Sequence, residues 1–147
     1  MSVADQIQKD TKAAMKQRDR TRVAALRMLG AALKNAEIEA GKQLTEQEEQ
    51  TILRRQLKQR NESAEVFRKA GREERAASES AEAEIVRSYL PEPPSHNELE
   101  EIIDRAVSET GAMGMKDIKT VMTRAMELSE GRAEGRTLSA LARTRLQ

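Results

Sequence analysis

Apolar residues recur along most of this chain three or four positions apart, the spacing of one helix face. Val3, Ile7, Thr11, Ala14 and Met15 predict a first helix over about residues 3–18. Leu26, Leu29, Leu33 and Ala36 predict a second over about 20–40. Leu53, Leu57, Ala64 and Phe67 mark a third after Thr45, and Ala77, Ala81, Ile85 and Tyr89 a fourth after Gly71. The pattern does not choose between a four-helix bundle and two long hairpins. Further on, Leu99, Ile102, Ile103, Ala106 and Val107 predict a fifth helix. Ile118, Val121, Met122 and Ala125 predict a sixth, and Leu138, Leu141, Ala142 and Leu146 a seventh.

Starts and stops support this reading. Ser2 offers a capping hydroxyl, and Thr45-Glu-Gln-Glu48 and Ser95-His-Asn-Glu98 both fit a capping box. Gly41, Gly71, Gly111 and Gly131 mark helix ends. All three prolines fall in Pro91-Glu-Pro-Pro94. Proline ends helices and restricts the residue before it, so this stretch predicts an extended connector. The expected organisation is therefore all-α: an N-terminal multi-helix domain (1–90), a Pro-rich linker (91–94) and a small three-helix domain (95–147).

Composition sharpens the fold class. One Phe, one Tyr and no Trp leave little material for a sandwich or α/β core, and the common residues are strong helix formers. The absence of Cys excludes disulfides and thiolate metal sites. No apolar run is long enough to span a membrane, and no apolar stretch follows the first residues as in a signal peptide. A cytoplasmic location is the expectation, with no membrane partner. Net charge is +1, so no global field selects a partner, but residues 116–147 are locally basic.

Catalytic signatures are missing. Neither a dinucleotide-binding glycine motif, nor a P-loop, nor a nucleophile elbow occurs. The single histidine, His96, reads as a helix-start surface residue. The acidic clusters Glu46/Glu48/Glu49 and Glu98/Glu100/Glu101 sit in first turns, where carboxylates complement the helix dipole. No catalytic residue, metal site or cofactor is expected.

Arg60 falls within the apolar arc of Leu53, Leu57, Ala64 and Phe67. A charge there must be paired or escape the core. Glu84 is the expected partner in a structural ion pair, and an inward-held anion-binding arginine is the alternative. Arg20, Arg27 and Lys34 recur every seven residues and form one basic ridge on the second helix. Arg54, Arg55 and Lys58 form a second cluster on the third. The loop Gly131-Arg-Ala-Glu-Gly-Arg136 is the best local anion candidate. Its glycines permit close backbone approach, Arg132 and Arg136 are charge-assisted donors, and a helix start near Thr137 attracts anions. Gly135, Lys116 and Lys119 join this candidate RNA- or anion-binding set.

These segments resemble the YqeY family, and the last part resembles the GatB/YqeY tail of the B subunit of glutamine-dependent tRNA amidotransferases. The resemblance rests on Lys12-Ala-Ala-Met-Lys16, Leu26-Arg-Met-Leu29, Gln59-Arg-Asn-Glu-Ser63 and Ala70-Gly-Arg72, then on Glu84-Ile85, Tyr89-Leu-Pro91, Lys116-Asp117, Val121-Met122 and Gly131–Arg136. Two positions depart from the family pattern: Lys119 stands where it has Gly, and Glu134 where it has Asp. The resemblance implies two helical parts and the class label carbon–nitrogen ligase with glutamine as amido-N-donor. It also implies a tail that contacts tRNA. In the amidotransferase, glutamine hydrolysis and transamidation belong to other parts of the complex. The expected role is thus an accessory tRNA- or structured-RNA-binding protein, with an amidotransferase or other protein as further partner. Whether the chain is itself an enzyme is left open. The rival is a protein-interaction scaffold with no nucleic-acid role.

Overall fold

The computed structural model describes residues 1–147 and is all-helical. Its helices are α1 (Val3–Lys16), α2 (Arg20–Ala40), α3 (Glu46–Lys69), α4 (Glu73–Arg87), α5 (His96–Thr110), α6 (Ile118–Leu128) and α7 (Gly135–Leu146). A single 3₁₀ turn, Met115–Asp117, leads into α6. Backbone contacts divide the chain into two compact units, Met1–Leu90 and Pro91–Gln147.

In the first unit, α1 pairs with α2 and α3 with α4, and α2 packs on both α4 and α3. Ile7, Leu26, Leu29, Leu33, Leu53 and Val86 make its core. Each fully buried aliphatic side chain of this kind contributes about 1.5–3 kcal/mol. Toward the Gly71 turn the α3–α4 hairpin is held differently. Ala64, Ala76 and Ala83 are buried there, and small side chains let the two backbones approach. Arg75 caps the edge, its guanidinium 5.7 Å from the Phe67 ring centroid.

The start of α1 is fixed twice. Ser2 and Asp5 form a reciprocal capping box, with Ser2 Oγ accepting from Asp5 N at 3.1 Å and Asp5 Oδ2 accepting from Ser2 N at 3.2 Å. Buried Glu49 of α3 accepts a further amide, from Ala4 N, at 3.1 Å. The boxes expected at Thr45 and Ser95 are only half made. Each hydroxyl accepts the amide three residues on, but neither glutamate returns to the cap backbone. Glu48 takes the Thr45 hydroxyl instead, and Glu98 faces Arg132.

The buried face of α4 differs from expectation. Ala77 and Ala81 are exposed, while Ala76, Ala83 and Val86 are buried, with Glu79 and Glu82 half-buried beside them. The cause is Arg60, which draws the two glutamates onto the inward face. On α1, Met15 is also turned outward, 50% exposed, and accepts a contact from Arg27 Nη2 to its Sδ at 3.8 Å.

In the second unit, α5, α6 and α7 pack mutually around Ile103, Ala106, Val121, Ala125, Leu138 and Ala142. Polar ties frame this core. Glu109 receives Arg105 at 2.8 Å and Arg124 at 2.5 Å, and Arg145 meets Asp104 at 3.2 Å.

Candidate nucleic-acid interface

The loop between α6 and α7 is built by two consecutive left-handed residues. Glu130 has φ 54° and Gly131 φ 73°. Glycine carries the second at no steric cost, and the turn brings Gly131 N onto Met126 O at 3.3 Å. Ser129 is fully buried and returns its hydroxyl to Met126 O at 2.9 Å. Ala133 then plugs into the core of the second unit. These anchors fix the flanking residues while leaving Glu134, Gly135 and Arg136 exposed.

Helix α7 begins at Gly135, two residues before the expected start at Thr137. Its N-cap is Glu134, whose side chain makes no capping hydrogen bond. Aspartate is among the best N-caps, and glutamate carries one methylene too many for that geometry. The departure from the family pattern at this position thus leaves the first amides of α7 without a side-chain acceptor. A Cβ built on Gly135 would meet nothing within 4 Å, so the approach is open. Arg136 is exposed and forms no ion pair, whereas Arg132 is half-buried, its Nη2 3.7 Å from Glu98 Oε2.

Lys116 and Lys119 are exposed and unpaired at the opposite end of α6. Eleven residues of α6 separate the loop from Lys116, and nine separate it from Lys119, about 14–16 Å along the helix axis. The loop and these lysines therefore do not converge on one small site. Lys119 sits in ordinary helix, so the family's glycine at that position is not required by this backbone.

In the first unit, Arg20, Arg27 and Lys34 are exposed along α2 and form no ion pairs. Arg27 and Lys34 border a groove between α1 and α2, and Arg20 lies outside it. Arg54 is half-buried, and burial lowers its guanidinium pKa.

Arg60 does not meet Glu84. Its Nη1 lies 3.3 Å from Glu79 Oε2 and 3.5 Å from Glu82 Oε2, while Glu84 pairs with Arg87 on the exposed face. Glu84 is two residues beyond Glu82, which rotates it about 200° around the helix and away from α3. Two carboxylates around one guanidinium give a local excess of negative charge, and an anion is not accommodated there. Burial first, and Glu79 second, raise the Glu82 carboxyl pKa above the ordinary glutamate value.

His96 and Glu49 serve local structure. His96 Nε2 lies 3.0 Å from Glu100 Oε1 on an exposed turn. Glu49 had no signal in the sequence beyond its place in a first turn; its partner, Ala4 N, lies 45 residues away.

A family model described as Yqey-like protein matches residues 4–146, and the chain belongs to that family. Its curated relatives include "Altered inheritance of mitochondria protein 41, mitochondrial" of Lachancea thermotolerans. That protein is 38% identical over 108 residues, covering 73% of this chain and 56% of the relative. The protein of the same name from Clavispora lusitaniae is 33% identical over 105 residues, covering 70% of this chain and 61% of its own. The one from Pyrenophora tritici-repentis is 29% identical over 133 residues, covering 89% and 73%. The chain thus spans between about half and three quarters of the length of these relatives.

These names correct the expected location. All three relatives are named as mitochondrial, so the cytoplasm does not stand as the place of this chain. The physical reason is that addresses are read from targeting segments, not from a helical core. That no helix is long and apolar enough to cross a membrane is a separate fact, and it carries no address.

Proposed function

We propose that this chain is an accessory RNA-binding protein whose second unit takes structured RNA of the tRNA class, in the setting of glutamine-dependent amidation. One observation carries the reading: Arg136 stands exposed and unpaired at the open, uncapped N-terminus of α7. There the positive end of the helix dipole, free amides and a guanidinium act together on a phosphate. Lys116 and Lys119 lie about 14–16 Å away along α6, and a cation set so spread suits a ladder of phosphates better than one small anion. With one Phe and one Tyr, the chain lacks a stacking platform for single-stranded bases. Recognition by backbone and shape is the mode this surface favours.

In this reading residues 95–147 act as a tail-like domain, joined through Pro91–Pro94 to the helical domain of residues 1–90. The label carbon–nitrogen ligase then describes a complex in which the chain works, and an amidotransferase is the partner it implies. Titration of total tRNA over a salt series tests the proposal. The expected result is an affinity that falls linearly on logarithmic axes as phosphate contacts release counterions. No affinity at low salt overturns it.

A further inference from the structure

A groove of about 800 Å3 runs between the outer faces of α1 and α2 in the first unit. Its floor is apolar, made by Ala4, Gly30 and Ala31 over the buried Ile7 and Leu26. Gly30 and Ala31 keep this stretch of α2 low, and a Cβ built on Gly30 would meet only Ile7 Cγ2 at 3.8 Å. At one end Ile38 projects into solvent, 68% exposed.

The rim is cationic. Lys12, Arg27 and Lys34 border the groove, and none of them forms an ion pair. Arg27 leans only on the Met15 sulfur. Two carboxylates, Asp5 and Glu37, also line it, against Lys12, Arg27, Lys34 and Lys42, of which only Lys42 is paired, with Glu48.

We infer that this groove is a docking site for an amphipathic helix of another protein, apolar on one face and flanked by carboxylates. Helices enter grooves of this kind through apolar side chains at intervals of three and four. Low residues on the floor let the incoming backbone approach, and Ile38 supplies an apolar anchor. The cations select glutamate- or aspartate-rich flanks and speed the encounter. A second copy of this chain does not fit as a symmetric partner, because a twofold interface would set the same cationic rim against itself. Nucleic acid does not fit either: the cations stand on the rim alone, the apolar floor offers nothing to a polar sugar–phosphate backbone, and no aromatic residue lies there for a base to stack on. The inference stands apart from the RNA reading, which concerns the other unit.

The test uses the full chain and a fluorescein-labelled helical peptide of the length of α1, with leucines at helical spacing and glutamates flanking them. The control peptide carries lysines in place of the glutamates. Fluorescence anisotropy is read for wild type, for Ala31→Trp, which fills the floor from an exposed position, and for Ile38→Asp. Circular dichroism checks that each variant keeps its helices. The expected result is saturable binding of the glutamate peptide, weakened about tenfold or more by either substitution and by the lysine flanks. Equal binding of the two peptides, binding indifferent to Ala31→Trp, or no binding overturns the inference. Displacement of the peptide by tRNA assigns the groove to nucleic acid and overturns it too. So does a wild-type dimer in sedimentation equilibrium that Ala31→Trp dissolves, which assigns it to a second copy.

Discussion

The hydroxyl of Tyr89, just after α4, donates a 2.5 Å hydrogen bond to Oδ2 of Asp10 on α1. It ties residues 79 positions apart. The Tyr89 hydroxyl holds the Asp10 carboxyl below the ordinary aspartate value, against a smaller opposing effect of burial. Burial first, and Asp10 second, push the Tyr89 hydroxyl well above the ordinary tyrosine value. Both shifts keep donor and acceptor in their roles at neutral pH. A depressed carboxyl stabilises the fold above its unfolded pKa, and that stability is lost as pH falls through the folded value. A raised phenol stabilises below its unfolded pKa, and that stability is lost as pH rises through the folded value. Tyr89→Phe is therefore expected to cost about 1–2 kcal/mol at pH 7. The difference from wild type should shrink below about pH 4. Urea denaturation at both pH values checks this, and an equal cost at both contradicts it.

Arg60 joins Glu79 and Glu82 across the α3–α4 hairpin. Arg60→Met leaves two half-buried carboxylates facing each other and is expected to cost about 2–3 kcal/mol. Glu82 has a raised pKa, so its ionised form opposes folding once pH rises above the ordinary glutamate value. Glu82→Gln is accordingly expected to be neutral or mildly stabilising at pH 7, in contrast to Arg60→Met. Thermal melts of both variants decide the matter; a large loss on Glu82→Gln would refute the assignment.

Glu49 secures the first turn of α1 from α3 through Ala4 N. Glu49→Ala leaves that amide without its acceptor and is expected to cost about 1–3 kcal/mol. Hydrogen exchange should quicken most at Ala4 and its neighbours. Unchanged protection there would mean that the Ser2–Asp5 box alone holds the helix end.

Glu134 is the uncapped N-cap of α7. Glu134→Asp is expected to stabilise the protein by about 0.5–1 kcal/mol through a new cap. The same cap occupies amides that the proposed phosphate needs, so RNA affinity should fall. A melt and a tRNA titration on one variant test both halves. Stabilisation with unaltered affinity would remove the α7 amides from the interface.

Helix order was legible because apolar spacing, glycine stops and the proline cluster agreed. Legibility ended where a partner lay far along the chain. The inward face of α4 departs from its apolar spacing because Glu79 and Glu82 occupy it, facing Arg60 of another helix. Glu49 looked like a dipole-complementing acid; its partner, Ala4 N, is brought to it by the fold. The candidate loop was visible from its glycines and arginines. Its distance from Lys116 and Lys119 was not, since that depends on the straight run of α6 between them. Of the groove between α1 and α2, only the rim cations Arg27 and Lys34 were legible, as part of the basic ridge; its floor needs both helices. A helical core holds no address, so location is not legible from it.

The RNA interface proposed for the second unit is checked by fluorescence polarisation of labelled tRNA with wild type, Arg132→Ala/Arg136→Ala and Glu98→Gln over a salt series. The expected result is salt-sensitive binding that the double substitution weakens about tenfold or more. Glu98→Gln should strengthen binding by freeing Arg132 from its 3.7 Å contact. Binding that ignores all three substitutions, or its absence at low salt, would rule out this interface.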